Sequence, residues 1–406
     1  MKLMNSIVRV AALSAAFIFT AGHVSSAQAQ PAPRRRHAPP PSPISSPAVD
    51  ATVTAPVVPA PMSSVADVHH AFNFDAFVDA NARVTSRNYL FDEAGRNDLN
   101  RGFSVKDGAL ILSGELSHQT RAVIELPFYT AMGATTNALT FAQGYAQAYA
   151  AYTLARAPLT FKLGQYASFF GLEANSSRDR FFTQEGGAKS YITPWTHTGA
   201  QVSYATDGST KFSFLGQVAN ANTATSGTSS VGALGDNNIE LGVQARIDAG
   251  IGYGALGVSY DRAQTLPASG TFNDNNDTNT LIELMGGMNL GSFSWGLQLD
   301  SKKTAGFKDS AFAATLLGTF QVNADLGVGA RVEIMNNTAV LATATGGPTV
   351  NEMKNGYGIA VGPSYKLDNN LTVRGDLNYT TMKFDDFNNG NSRSYLGANL
   401  SIVATL

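Results

Sequence analysis

The sequence predicts an all-β fold, namely a transmembrane, antiparallel, up-and-down β-barrel of about 16 strands (14–16), preceded by a disordered Pro-rich segment. Three observations support this prediction. Apolar and polar residues alternate along much of residues 70–406, and short and long connections alternate between these stretches. Charged residues make up only 14% of the 406-residue chain, against roughly 25% in soluble domains.

The first 29 residues have the features of a secretory signal peptide. Lys2 and Arg9 give a positive start, and the apolar run 10–22 is too short to span a bilayer. Ala27-Gln28-Ala29 fits a cleavage site, so we expect cleavage near Ala29; an N-terminal anchor helix is the alternative. The chain contains no cysteine, which suits a bacterial envelope protein and excludes disulfides, thiolate metal sites and cysteine nucleophiles.

Residues 30–69 are predicted to be a disordered periplasmic linker. Ten of the 16 prolines lie within residues 31–62, a composition that favours an extended spacer over a packed core. Arg34, Arg35 and Arg36 either contact an anionic cell-wall polymer or are a solvated charge run. The net charge of −2 excludes a basic nucleic-acid binder, and residues after 62 are mildly acidic.

The alternation of apolar and polar residues is clearest in residues 241–248, 292–300, 328–335 and 371–380. This period is typical of strands with one apolar and one polar face. After the signal peptide, no stretch of about twenty residues is predominantly apolar, so membrane-spanning helices are not expected. Residues 142–155 leave an alternative open, because three tyrosines there fall at helical spacing among alanines, and a helix would break the strand count.

The connections between these segments distinguish a membrane barrel from a soluble β-sandwich, which would be expected to have shorter, more even loops. Short turns are expected near residues 116–118, 156–158, 207–209, 248–251, 290–291, 323–325 and 367–370. Long loops are expected near residues 81–102, 131–140, 168–196, 220–236, 262–278, 302–310, 337–355 and 383–392. Because short turns and long loops alternate strictly along the chain, they separate about sixteen strands, and both chain ends are expected on the periplasmic side.

The C-terminal segment is the most specific local signal for a barrel. Every second residue back from the end is apolar, namely Leu406, Ala404, Ile402, Leu400, Ala398 and Leu396. This pattern resembles the terminal strand that the barrel-insertion machinery reads in outer-membrane barrels. Those strands usually end in an aromatic residue, and Leu406 departs from that rule.

The loop at 168–196 is the longest and is rich in charge. Its charged residues are Glu173, Arg178, Asp179, Arg180, Glu185 and Lys189. Folded into a water-filled lumen, such a loop would constrict the pore and set its size limit and charge preference. The alternative is a loop that projects outward. The strand periodicity places further polar side chains on the lumen wall, namely Gln244, Arg246, Glu283, Gln298, Arg331, Glu333, Arg374 and Asp376.

Motifs around this loop carry a family resemblance. The strand Phe161-Lys162-Leu163-Gly164-Gln165-Tyr166 precedes Phe170-Gly171-Leu172-Glu173, Asn175 and Ser176-Ser177-Arg178, and the loop closes with Pro194-Trp195-Thr196-His197-Thr198-Gly199. This order over residues 161–204 resembles the OmpL-like putative β-barrel porin-2 family. The resemblance implies an outer-membrane channel, embedded in outer-membrane lipids, that passes small hydrophilic solutes and ions. A homotrimer is a further expectation. The third outer loop constricts classical trimeric porins, so the resemblance supports a constriction here.

No enzymatic activity, cofactor or metal is expected. His197 has no second ligand motif nearby, so we interpret Pro194, His197, Thr198 and Gly199 as a loop-closing motif. Titration of His197 could instead gate the loop. Two other functions stay open: a structural or adhesive anchor with a plugged barrel, and a barrel enzyme that uses His197 and Glu173.

Overall fold

The strands of the chain form one antiparallel sheet that closes on itself, because β1 pairs with β2 on one side and with β17 on the other. The computed structural model describes residues 72–86, 100–132, 137–141, 146–220, 239–262, 278–303, 309–344, 347–385 and 392–406. The predicted signal peptide and linker lie outside these residues. Within the described part of the chain, no helix is long and apolar enough to cross a membrane.

The strands, in chain order, are β1 Phe72–Thr85, β2 Asn100–Ser117, β3 Thr120–Met132, β4 Asn137–Phe141, β5 Gln147–Thr153, β6 Leu159–Ala167, β7 Thr196–Ala205, β8 Thr210–Asn220, β9 Ile239–Ala249, β10 Gly252–Arg262, β11 Thr278–Leu290, β12 Phe293–Lys303, β13 Ala311–Gln321, β14 Leu326–Ala344, β15 Gly347–Lys366, β16 Leu371–Asp385 and β17 Ser392–Thr405. Segments β4 and β5 both pair with β3, one at each end, and together occupy one position in the wall. The barrel therefore has 16 strands, as predicted.

The open question at 142–155 is settled in favour of a strand, since β5 covers Gln147–Thr153. Residues 142–145 lie outside the described part of the chain. Seven short connections join neighbouring strands close to the predicted turns. Both described chain ends lie at this end of the barrel, which we call the turn end, because Phe72 faces Gly114 and Phe77 faces Thr405.

The prediction of a long loop at 337–355 is wrong. Strands β14 and β15 continue through most of it as a paired hairpin, in which Ala344 faces Gly347. Its Asn and Thr residues suggested a loop, but the backbone ladder forms regardless of side-chain polarity. Asn337 has a φ of 51° and lies at a gap in the ladder, which resumes in the same register from Asn336–Asn355 to Thr338–Met353. The predicted loop at 131–140 is also partly strand, because β3 reaches Met132 and β4 begins at Asn137.

The two faces of the wall differ as the alternation predicts. In β9, Leu241, Val243 and Ile247 are exposed on the outside, whereas Glu240 and Gln244 are buried inside. An apolar outer surface with polar inward side chains is the arrangement that a lipid bilayer requires. The barrel interior is filled in part by residues 168–195, which we call the inner loop.

Two apolar clusters form where the inner loop packs on the wall. The first contains Phe169, Phe170, Ala188, Ile192, Leu281, Ala311, Ala313, Met335 and Met382. The second contains Leu172, Phe182, Ala255, Met285, Leu317 and Ala360. Every wall residue in these clusters lies on a strand from β10 to β16. This side of the lumen is therefore a packed core made by the loop and the wall together.

Candidate functional site: the inner loop and its anchors

The inner loop leaves the wall and returns to it at the same place. The backbone N–H of Ser168 donates to the carbonyl of Trp195 at 2.9 Å, and Tyr166 and His197 are register partners in β6 and β7. Within the loop, a short 3₁₀ turn spans Ser177–Asp179, and helix α1 spans Gly187–Tyr191. The loop lies inside the barrel rather than projecting outward, because its backbone bonds to inward-facing side chains of the wall.

The first anchor joins the start of the loop to β9, β11 and β12. Gln244 donates to the carbonyl of Phe169 at 3.0 Å. Gly171 N–H donates to Glu283 Oε2, and Leu172 N–H donates to Gln298 Oε1, both at 2.6 Å. These wall side chains therefore satisfy backbone groups that have no partner in regular secondary structure.

Wall glycines make room for the loop at this anchor. A Cβ placed on Gly296 would lie 2.7 Å from a methyl carbon of Leu172, and one on Gly257 would lie 2.8 Å from the Phe170 ring. Both distances are far below normal contact, so only glycine allows the loop side chains to approach the wall this closely.

The second anchor is centred on Arg331 of β14. Its guanidinium pairs with Glu173 of the loop, approaches Glu333 at 3.3 Å and donates to the carbonyl of Gln184 at 2.8 Å. Glu333 in turn accepts the N–H of Gly187 at 3.0 Å. One buried arginine thus holds two carboxylates and the start of helix α1 together.

The third anchor joins the 3₁₀ turn and the residues after it to inward side chains of β16, β1 and β2, where the chain closes the barrel. Arg374 donates to the carbonyls of Ser177 and Arg180 and approaches Asp79 at 3.3 Å. Thr183 N–H donates to Asp376 Oδ2 at 2.8 Å. The wall therefore offers both a cation for the loop's carbonyls and a carboxylate for its N–H groups.

Arg180 and Glu185 form a buried ion pair inside the loop, and Lys106 and Asp107 of β2 extend it. Burial opposes ionisation of Glu185, but the charges of Arg180 and Lys106 outweigh it and hold the Glu185 pKa well below its usual range. The carboxylates of Glu185 and Asp107 raise the pKa of Arg180 despite its burial. The pair therefore stays charged at neutral pH.

Lys189 of helix α1 is almost fully buried, with its ammonium 5.2 Å from the Trp195 ring centre. Burial lowers its pKa from 10.5 to about 8, although Glu283 and Glu173 oppose the shift. Below pH 8 the lysine is charged whether the loop is anchored or free. Between about pH 8 and 10.5 the anchored form has lost a proton that the free form keeps, so anchoring strengthens as pH rises.

We therefore expect the wild-type loop to be held more firmly at pH 9.5 than at pH 7.5, by about 2 kcal/mol. The measurement is the rate at which proteinase K cleaves within residues 168–195 of the folded protein, normalised to an unstructured substrate at each pH. Lys189→Met removes the titrating group and should make the normalised rate the same at both pH values. An equally pH-dependent rate in this variant would contradict the assignment to Lys189.

The His197 side chain on β7 lies between Ser168, the first residue of the inner loop, and Glu240 of β9. Its Nε2 lies 3.1 Å from Ser168 Oγ, and its Nδ1 lies 3.4 Å from Glu240 Oε1. This Ser–His–Glu order is that of a hydrolase triad, but Ser168 Oγ is buried and accepts the N–H of Phe170 at 3.1 Å. Glu173, the other residue of the enzyme hypothesis, pairs with Arg331.

The rest of the predicted loop-closing motif lies beside His197. Thr198 is exposed and its hydroxyl is 3.5 Å from Gln165, while Pro194 is half-buried. A Cβ on Gly199 would collide with the backbone of Val218 and Ala219 on β8, so this glycine allows close strand approach. The closing role of the motif stays a prediction.

The structure brings most of the predicted site residues together at the three anchors. Glu173, Arg180 and Glu185 of the loop contact wall groups, and Lys189 contacts Trp195 of the loop itself. The wall residues that contact the loop include Glu283, Arg331, Glu333, Arg374 and Asp376. Arg246 is apart from them and pairs with Asp248 of its own strand. Arg178 and Asp179 remain about one-third exposed. The sequence did not single out Ser168 and Gln184 of the loop. It also did not single out five wall residues, for which an inward direction was the only available signal: Asp79, Lys106, Asp107, Glu240 and Lys302, whose ammonium donates to the Ile192 carbonyl at 3.2 Å.

Comparisons with known proteins agree with this architecture. A model of the family described as putative beta-barrel porin-2, OmpL-like, matches residues 71–406. Among proteins with curated functions, none matches the sequence.

Solved structures with the same fold include OprB of Pseudomonas putida, at 12% identity and a TM-score of 0.57 over 82% of this chain and 94% of that one. OmpF of Salmonella typhi, in complex with daunomycin, has 10% identity and a TM-score of 0.54 over 82% and 97%. An anion-selective porin from Comamonas acidovorans has 14% identity and a TM-score of 0.52 over 83% and 100%. At these identities the likeness shows the fold alone.

Proposed function

The chain belongs to the putative beta-barrel porin-2, OmpL-like family, and on this premise we propose that it passes small hydrophilic solutes and ions passively across the outer membrane. The observation that carries the proposal is the charged inner loop inside a barrel whose outer face suits lipid. A loop in this position narrows the lumen, and its charges select among solutes.

The charged residues of the inner loop have two proposed roles. Glu173, Arg180, Glu185 and Lys189 hold the loop, together with the wall residues at the anchors. Arg178 and Asp179, which are partly exposed, face the permeating solute. Selectivity is then weak, since exposed charges of both signs line the route.

The test is to insert the purified protein into a planar bilayer and to measure single-channel conductance and the reversal potential across a salt gradient. We expect stable steps, and the sign of the reversal potential gives the ion preference. Heat-modifiable migration on a gel verifies that the barrel is folded. Folded protein that gives no steps would contradict a porin function.

A plugged barrel that serves as a structural or adhesive anchor is the second candidate. The two apolar clusters favour it, because they fill part of the lumen beside β10–β16 with packed side chains. The same bilayer measurement separates the two functions, since a plugged barrel gives no steps. A homotrimer, contact of the linker with the cell wall, and recognition of β17 by the insertion machinery stay predictions.

A further inference from the structure

The inner loop does not fill the barrel evenly. Its anchors reach β9, β11, β12, β14, β16, β1 and β2. The wall side chains of these anchors are buried, except Lys106 and Asp107 of β2, which are half-buried. The inward side chains Gln147, Tyr149 and Ala151 of β5 are half-buried, as are Glu125 of β3 and Lys162 of β6, whereas Val123 and Pro127 of β3 and Tyr166 of β6 are buried. The space that the loop leaves open therefore lies beside β3, β5 and β6.

The edge of the loop that faces this space carries charge and is partly exposed. Arg178 pairs with Asp75 of β1 at 2.7 Å and approaches Asp179 at 3.6 Å, and the three side chains are 30% to 40% exposed. Burial lowers the pKa of Arg178, but Asp179, Asp75 and Glu125 raise it more. Glu125 of β3 lies on the same row of the wall as Asp75, because Asp75 faces Ile111 of β2 and Ile111 faces Glu125.

The opposite border is formed by a lysine between two tyrosine rings. The Lys162 ammonium lies 4.6 Å from the Tyr149 ring centre and 5.5 Å from that of Tyr166. Cation–π contacts of this kind fix the position of a long side chain and keep its charge accessible. Ala151 lies next to Lys162 in the strand register and points the same way.

We propose that the permeation path runs along the inward faces of β3, β5 and β6, with Lys162 as the cationic and Glu125, Asp75 and Asp179 as the anionic determinants of its selectivity. This inference rests on the proposed porin function. It assigns the opposite half of the lumen, beside β10–β16, to holding the loop rather than to transport.

Because the chain has no cysteine, a single introduced cysteine is its only thiol. Ala151→Cys places a thiol in the proposed path, and Ala313→Cys is a matched control on β13, where the side chain is fully buried. The reagent is methanethiosulfonate ethylsulfonate, an anionic, water-borne thiol modifier. We expect it to block most of the single-channel conductance of A151C and to leave that of A313C unchanged.

A conducting A151C channel that the reagent does not affect, or a block confined to A313C, would overturn the path while leaving the porin function intact. Wild-type protein that never conducts would overturn the porin function itself. Mass spectrometry of the modified folded protein tests the geometry without conductance: A151C must label faster than A313C. Equal labelling rates would refute the open space beside β5.

The role of Lys162 has its own readout. Lys162→Gln removes a cation from the path and should move the reversal potential toward cation preference. Lys211→Gln, which removes an exposed lysine near the turn end of β8, should leave the reversal potential unchanged. Equal shifts in the two variants would show that Lys162 acts only through the overall charge of the barrel.

Discussion

Replacement of residues 175–190 by a short Gly-Ser linker is expected to raise the single-channel conductance several-fold. The replaced residues include Arg180 and Glu185, which form the ion pair of the inner loop, and all of helix α1 except Tyr191. Without them the third anchor loses its loop partners and the second keeps only Glu173, so we expect water to enter the lumen beside β14 and β16. Conductance rises with the water-filled cross-section of the pore, so removing the segment that crosses the lumen is expected to cause the largest increase.

The matched control for this replacement is Arg178→Gln, which changes one partly exposed loop charge and leaves the anchors in place. It should alter ion preference with little change in conductance. Heat-modifiable migration must be the same for the wild type and both variants, since the wall strands are unaltered. Unchanged conductance in a folded barrel without residues 175–190 would show that the inner loop does not limit transport.

The strand pattern of the barrel could be predicted from the sequence because lipid on one side and polar groups on the other impose a period of two. Leu241 and Gln244 in β9 obey it, and so does the C-terminal strand. The prediction failed where the composition of a segment indicates a loop but the segment pairs with a neighbouring strand. Residues 337–355 have a loop-like composition but form a hairpin, because β14 and β15 satisfy each other's backbone groups.

The charged residues of the inner loop were predictable, but their partners were not. Lys106 and Asp107 are adjacent in sequence, yet both contact the loop, since a register shift between β1 and β2 at Asp79 and Ala80 interrupts the alternation there. The need for glycine at positions such as Gly296 could not be predicted, because it depends on which loop side chain packs against that position. The contacts of Lys106 and Asp107 with Thr183 and Ser177 join residues 77 and 70 positions apart, and a single sequence carries no record of such pairings.

Arg331→Met is expected to release the second anchor. The substitution keeps an apolar side chain of similar length but leaves the buried carboxylates of Glu173 and Glu333 without their cation. Breaking a buried ion pair from one side costs about 3–5 kcal/mol. If this cost falls on the anchored state of the loop, amide hydrogen exchange at Gly186 and Gly187 should accelerate roughly a hundredfold or more.

Two further variants separate loss of this ion pair from loss of an arginine in general. Arg246→Met removes an inward arginine that pairs with Asp248 on its own strand, so exchange at Gly186 and Gly187 should match the wild type. Adding Glu173→Gln to Arg331→Met removes one of the stranded charges and should slow exchange relative to Arg331→Met alone. Wild-type exchange rates in Arg331→Met would mean that the hydrogen bonds from the Gly186 and Gly187 amides to Glu173 and Glu333 hold the loop without the arginine. The loop would then be held by these hydrogen bonds and by apolar packing, and the arginine would contribute little to its anchoring.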